Sequence, residues 1–294
     1  MRKKEIITLV FWLCFFNGCA QTNDSVRATN TELEKTISPV KITRTRIIEK
    51  LSLKIKNHEA LVVHVFVPLC DNKYQGIVKV GAKLGDGRNL KTNLYWGAGY
   101  GLKTWFTHAK EWNYLGSIFN PDSSVLERAV YSRKYAGGAE VLLVLDGYKG
   151  DKMGDCLMDF FNSLAGKLKD TIVLNQVKMP AFGNADLLVF NGHNGLMDND
   201  YPWIENADGK ERDAAVIACA SDYYFTARFP RLKAYPLITT TNFLPPEAYI
   251  ISAIIDNWAT LQPGEKIRKS AGEAMAKVHK IAVQPCIKTF KTGW

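Results

Sequence analysis

The sequence has no Cys/His spacing suited to zinc, no glycine-rich loop ending in Lys-Ser or Lys-Thr, and no Gly-x-Ser-x-Gly elbow. These absences remove a structural zinc, a P-loop phosphate cradle and a hydrolase serine from consideration, and neither a metal nor a cofactor is expected. Internal repeats are absent too. Lys and Arg outnumber Asp and Glu by 38 to 29, but they are scattered, with no Arg-rich helix and no aromatic-basic ladder, so nucleic acid is not an expected partner. A basic surface beside an anionic membrane is the simpler account of the charge. Histidine is scarce, with five in 294 residues, so each one has to be accounted for.

What is present begins with an export signal. Arg2, Lys3 and Lys4 precede the apolar run Ile6 to Phe16, which is too short for a stable membrane span, and Gly18-Cys19 comes directly after it. This start resembles the bacterial lipoprotein signal, in which the cysteine becomes the first mature residue and carries the lipid; Phe16-Asn17 stands where Leu-Ala or Leu-Ser is commoner. The resemblance implies a signal peptide over residues 1–18, lipidation at Cys19, and a chain anchored in the cell envelope on the periplasmic or surface face of a bacterial membrane. The alternative is an ordinary secretory signal with Cys19 unmodified. Losing residues 1–18 removes three basic groups and Glu5 from a net charge of +9, leaving +7. Residues 19–45 are polar, with hardly an aliphatic side chain before Ile37, and read as a tether. A single folded domain is expected over 46–294. Cys70, Cys156, Cys219 and Cys286 lie in that domain, and outside the cytosol they would also suit two disulfides, with three pairings open.

Along the domain, apolar runs alternate with helical patterns. ALVVHVFVPL (60–69), AEVLLVLD (139–146), TIVLNQV, ADLLVF, AAVIAC and YPLITTT read as strands, as does VLERAVYSRKY (125–135), for which a helix is the alternative. KMGDCLMDFFNSLAGKL (152–168), PPEAYIISAIIDNWATL (245–261) and EKIRKSAGEAMAKVHKI (265–281) read as helices, and NLYWGAGYGLKTWF (93–106) carries apolar groups at mixed helical spacing. Wholly apolar short strands are those covered on both faces, so the expected fold is a three-layer α/β sandwich around a mostly parallel sheet.

Ligands of such sheets bind at the carboxyl ends of the strands. The expected cleft therefore draws on Cys70, Asp71 and Asn72 after the first strand, Asp146 after another, Thr240 and Asn242 after a later one, His193 just beyond ADLLVF, and Cys219 closing AAVIAC. His64 lies inside an apolar strand and reads as a satisfied core residue, His58 and His279 read as surface positions, and His108 ends a helical stretch. Taken alone, the glycines about His193 would mark only a tight turn, and Cys219 a core cysteine.

Gly192-His193-Asn194-Gly195, with Ala218-Cys219-Ala220-Ser221 and Phe225 downstream, resembles the clan of cysteine peptidases that includes caspases, legumains, clostripain and gingipains, and is closest in style to the gingipain-like members. The motif spans about forty residues, Ala185 to Phe225. The resemblance implies a caspase-like fold, a Cys219 nucleophile, His193 as acid and base, and a peptide or protein substrate. In that clan the glycine follows the histidine directly; here Asn194 intervenes, so an oxyanion donor or turn role falls to the group Gly192, Asn194 and Gly195. Asp198, Asp200, Glu205, Asp208, Glu211 and Asp213 crowd the next segment and suit calcium, a pocket for a basic side chain, or simply a solvated loop. The rival function is a surface lipoprotein of the same fold that binds a peptide or glycan without catalysis; a structural envelope protein is a third.

Overall fold

The parallel ladder expected of the apolar runs is present in the computed structural model, which describes residues 40–75, 79–120 and 122–294. An eight-stranded sheet runs in the order β10-β9-β8-β7-β1-β4-β3-β2. Its centre is parallel: β1 (Leu61–Pro68) lies between β4 (Glu140–Tyr148) and β7 (Leu187–Asn191), and β8 (Arg212–Ile217) and β9 (Ala234–Thr240) continue beyond β7. Three antiparallel strands close the two edges. β3 (Val125–Lys134) pairs with β4 and carries β2 (Asn113–Phe119) on its outer side, and the short β10 (Phe290–Lys291) pairs with β9.

The layers on either side explain why the runs are wholly apolar. Every residue of β1, β7 and β8 is buried. On one face Val63, Val65, Leu187, Val189 and Ile217 pack with α1 (Thr45–Lys56), α2 (Leu102–His108), α6 (Ala248–Ala259) and α7 (Gly264–His279). On the other, Val62, Phe66, Leu188, Phe190 and Val216 pack with α3 (Met153–Leu164), α4 (Ser221–Phe225) and α5 (Phe229–Leu232). A short α8 (Val283–Lys288) leads into β10. The chain is thus a three-layer α/β sandwich. VLERAVYSRKY is the strand β3.

Two expectations need correcting, and one strand was not foreseen. TIVLNQV is not one strand of the sheet: Lys169–Leu174 and Val177–Phe182 form a separate two-stranded hairpin, β5 and β6, turning at Asn175-Gln176. The helix expected from Pro245 starts at Ala248, leaving Pro245, Pro246 and Glu247 outside it. β2 carries no apolar alternation, with exposed residues at both ends, and nothing in its sequence marks it as a strand.

The compact body is Lys41–Trp294, and it uses residues ahead of the expected boundary at 46. Arg44 Nε and Nη2 hold the buried Asp213 carboxylate at 2.9 and 2.7 Å, and Trp258 Nε1 donates to the same carboxylate at 2.9 Å. Trp294 Nε1 donates to the Ile42 carbonyl at 2.8 Å, so Trp294 lies against the start of the body. Cys14, Cys19 and the signal and tether residues up to 39 lie outside the described residues. Among the described residues no helix is long and apolar enough to cross a membrane.

Candidate functional site

The site is built at the carboxyl ends of β7 and β8. Asn191 pairs with Ile217, and the Gly192 N–H donates to the Ile217 carbonyl at 3.1 Å, carrying the ladder one residue past β7. His193 and Cys219 each stand two residues beyond that registered pair, on neighbouring strands whose usual spacing is about 5 Å. The glycines are required by close approach. A Cβ at Gly192 would come within 2.9 Å of Pro68 Cγ, and one at Gly195 within 2.5 Å of Met153 Cγ on α3.

His193 is nearly enclosed, at 6% exposure, and its Nε2 lies 2.5 Å from Asp198 Oδ2. A single helical turn over Gly195–Met197 brings Asp198 back over the ring, and Asn194 caps that turn by accepting the Leu196 N–H at 3.1 Å. The same Asn194 donates from Nδ2 to the Cys219 carbonyl at 2.7 Å, tying the histidine loop to the cysteine turn. The inserted asparagine therefore has a structural role. The Gly195 N–H is committed to the His193 carbonyl at 3.1 Å, while no hydrogen bond from the Asn194 N–H is formed among the described residues. Of the two amides, that of Asn194 is the unbonded one, in a residue that is itself fully buried.

Cys219 sits in a sharp turn between β8 and α4, and the next residue, Ala220, has φ +48°, a left-handed conformation that an alanine adopts only at some cost. Behind the turn Ser221 and Thr240 hold one another: Ser221 Oγ accepts the Thr240 N–H at 2.9 Å, and Thr240 Oγ1 bonds the Ala218 carbonyl. Burial pushes the Cys219 thiol up, against the pull of nearby backbone groups of Leu244 and of Cys219 itself. The thiol donates to the Leu244 carbonyl at 3.7 Å, and among the described residues no hydrogen bond joins it to His193. All four cysteines of the body are free; Cys70, Cys156 and Cys286 are buried. Burial pushes the Cys70 thiol up to about 11, the Cys156 thiol well above its ordinary range, and the Cys286 thiol upward as well.

The other expected cleft residues do not share one position: Cys70 is buried at the end of β1 and Asn242 stays beside the cysteine turn. Asp146 is fully buried on the α3 face, with Arg128 and His64, and does not line the strand ends. Thr240 is enclosed behind the cysteine turn. Asp71 accepts the Lys73 N–H at 2.9 Å, and Asn72 makes two hydrogen bonds to Val80, at 2.9 and 2.8 Å, so both shape the loop after β1. Asn242 is exposed and its carbonyl accepts the Ala220 N–H at 3.0 Å.

The acidic residues of the segment do not gather. Asp198 faces His193, Glu205 pairs with Arg231, Asp208 with Arg212 and Lys169, Glu211 with Arg46 and Asp213 with Arg44. Among the described residues no group of three or more His, Cys, Asp or Glu is placed to hold a metal ion.

Sequence reasoning missed two parts of the site. Asp198 was visible only as one acidic residue among six, and nothing in the sequence ties it to a ring five residues earlier. The second is the segment Leu244–Pro246, which lies across the strand ends. The Leu244 carbonyl meets Cys219 Sγ, and the Pro246 carbonyl accepts from Asn191 Nδ2 at 3.0 Å. Two open concavities lie away from His193 and Cys219. One of about 470 Å³ is lined by Thr104, Trp105 and His108, and one of about 260 Å³ by His58 and Tyr135. Compared with protein-family models, curated proteins and solved structures, the chain matches none.

Proposed function

We propose that this chain is a cell-envelope lipoprotein whose α/β domain hydrolyses peptide bonds through a Cys219–His193 dyad, in the manner of the caspase and gingipain-like clan. The observation that carries the reading is the registered pair of neighbouring strand ends, with a histidine on one and, on the other, a cysteine at a left-handed turn before a helix. In this reading Asp198 accepts the proton on His193 Nε2 in a hydrogen bond and leaves Nδ1 as the base. Nδ1 takes the thiol proton, the thiolate attacks the peptide carbonyl, and the Asn194 N–H receives the oxyanion. The imidazolium then protonates the leaving amine, and water releases the acyl group from sulfur.

The test is labelling combined with turnover. Iodoacetamide is expected to modify Cys219 faster than Cys70, Cys156 or Cys286, and His193→Ala to slow that labelling. Cys219→Ala and His193→Ala are each expected to bring hydrolysis of a casein-derived peptide mixture to the same floor, because partners in one catalytic unit are not additive. Hydrolysis that survives Cys219→Ala would sink the proposal. A second reading, the same fold as a peptide or glycan binder without turnover, draws on one observation: the thiol is pushed up by burial and bonded to Leu244. It predicts ligand binding with no product.

A further inference from the structure

The segment over the strand ends has the form of a bound peptide. Leu244 and Pro245 both precede prolines, which restricts them to extended backbone. The carbonyls of Leu244 and Pro246 reach the Cys219 thiol at 3.7 Å and the Asn191 amide at 3.0 Å. Leu244 is 3% exposed, so its side chain pins the segment down.

One atom in this arrangement has nothing to bond. Asn191 is fully buried, and its Oδ1 has no hydrogen-bond partner among the described residues. Turning the amide over would set Oδ1 against the Pro246 carbonyl and lose the one bond it makes. Pro246 is the centre of a three-residue turn closed by the Glu247 N–H on the Pro245 carbonyl, whereas an extended residue bound at that place would present its N–H and its C=O on the same side and so could satisfy both halves of the Asn191 amide. Proline supplies the carbonyl and has no N–H. The next N–H, of Glu247, turns back to the Pro245 carbonyl at 2.9 Å. The segment therefore fills the place of a peptide while leaving one of its bonds unmade.

We infer that Leu244–Pro246 is a resident stand-in for an extended peptide, and that the strand-end site binds a peptide segment whose non-proline residue pairs with both groups of the Asn191 amide once the resident segment swings out. The inference rests on the reading of this site as a peptide site and assigns it a backbone-recognising residue and an occupant to be displaced. Loss of one bond to a buried acceptor is what disfavours the resident segment against an ordinary peptide.

The experiment uses the exported chain from Cys19 onward, reduced, and monitors iodoacetamide labelling of Cys219 by peptide mapping. Leu244→Ala, which removes the apolar pin, is expected to raise the labelling rate about tenfold. Pro245→Gly, which keeps Leu244 but frees the backbone, is the second variant should the first not fold. In the opened variant two peptides compete: acetyl-Asn-Phe-Leu-Pro-Ala-Glu-amide, and the same peptide with proline for the alanine. The alanine peptide is expected to protect Cys219 at about fivefold lower concentration, and Asn191→Leu to abolish that preference. Unchanged labelling in a folded opened variant, no protection by either peptide at millimolar concentration, or equal protection by both would each overturn the inference. Protection without hydrolysis would refute the dyad and leave this site standing, whereas hydrolysis without the alanine preference would do the reverse.

Discussion

Asp146 is buried on β4 with its carboxylate in the Arg128 fork, at 2.6 and 2.7 Å, and 2.9 Å from His64 Nε2. His64 Nδ1 accepts the Phe182 N–H at 2.9 Å, which turns Nε2 toward the carboxylate. Burial alone would push the Asp146 carboxyl up, but the His64 and Arg128 contacts overcome it and bring it from 3.8 to about 2. A depressed carboxyl contributes stability that is present above its unfolded value and is lost as pH falls through the folded value, here a window from about 4 down to about 2. The shift corresponds to about 2 kcal/mol. Denaturant titrations of the wild type and Asp146→Asn are expected to differ at pH 6 and to converge by about that amount near pH 2; a gap independent of pH would show that the carboxylate is not the source. His64 was legible as a satisfied core residue because it interrupts an apolar run. Asp146 was not legible as a core partner, because position near a strand end gives the edge of the sheet but not the face: residues of its parity point to the α3 side, where Phe182 of the hairpin closes over them.

At the scale of elements, the β5–β6 hairpin is the plainest departure from the sequence reading, and its turn explains why. Leu174 pairs with Val177, leaving a two-residue connection in which Asn175 and Gln176 have φ of +48° and +67°. That is the geometry of a tight hairpin turn in which Asn-Gly is the favoured pair. Glutamine at the second position conceals the signal and bears strain. Gln176→Gly is expected to raise stability by about 0.5–1 kcal/mol, read as a higher midpoint in urea, with Asn175 kept because its Nδ2 donates to the Leu115 carbonyl at 2.8 Å. A lower midpoint would mean that the glutamine side chain contributes more than its backbone costs. The central strands were legible for the opposite reason, since burial on both faces writes itself as unbroken Val, Leu and Ile. β2 was not, because an edge strand exposed at both ends has no alternation to read. Two prolines in a row suit the first turn of a helix, but Pro245 restricts Leu244 and Pro246 restricts Pro245 to extended backbone, which holds the helix start back to Ala248.

For the whole molecule, Gly18-Cys19 after a short apolar run sets the expected location. Cys19→Ala is expected to move the protein from the membrane pellet to the soluble fraction, and a mature wild-type N-terminus found unacylated by mass spectrometry would end the lipoprotein reading. The mostly parallel sheet and the strand ends that carry His193 and Cys219 could be anticipated, because both depend on apolar runs and on the polar residues at their ends, whereas the order of the strands across the sheet could not. The occupant of those ends could not either, because it depends on a loop some fifty residues away from His193 folding back across them. Trp294 on the Ile42 carbonyl joins the two extremities of the body, and Arg44 on Asp213 ties its start to β8. Any tension carried by a tether enters at that junction, so the expected order of yielding under load is the tryptophan clasp first, then the arginine fork and α1. The fork ends on Asp213 of β8, the strand that leads to Cys219, so load that passes the tryptophan clasp is handed to the sheet itself, where the parallel ladders on either side of β8 share it in shear.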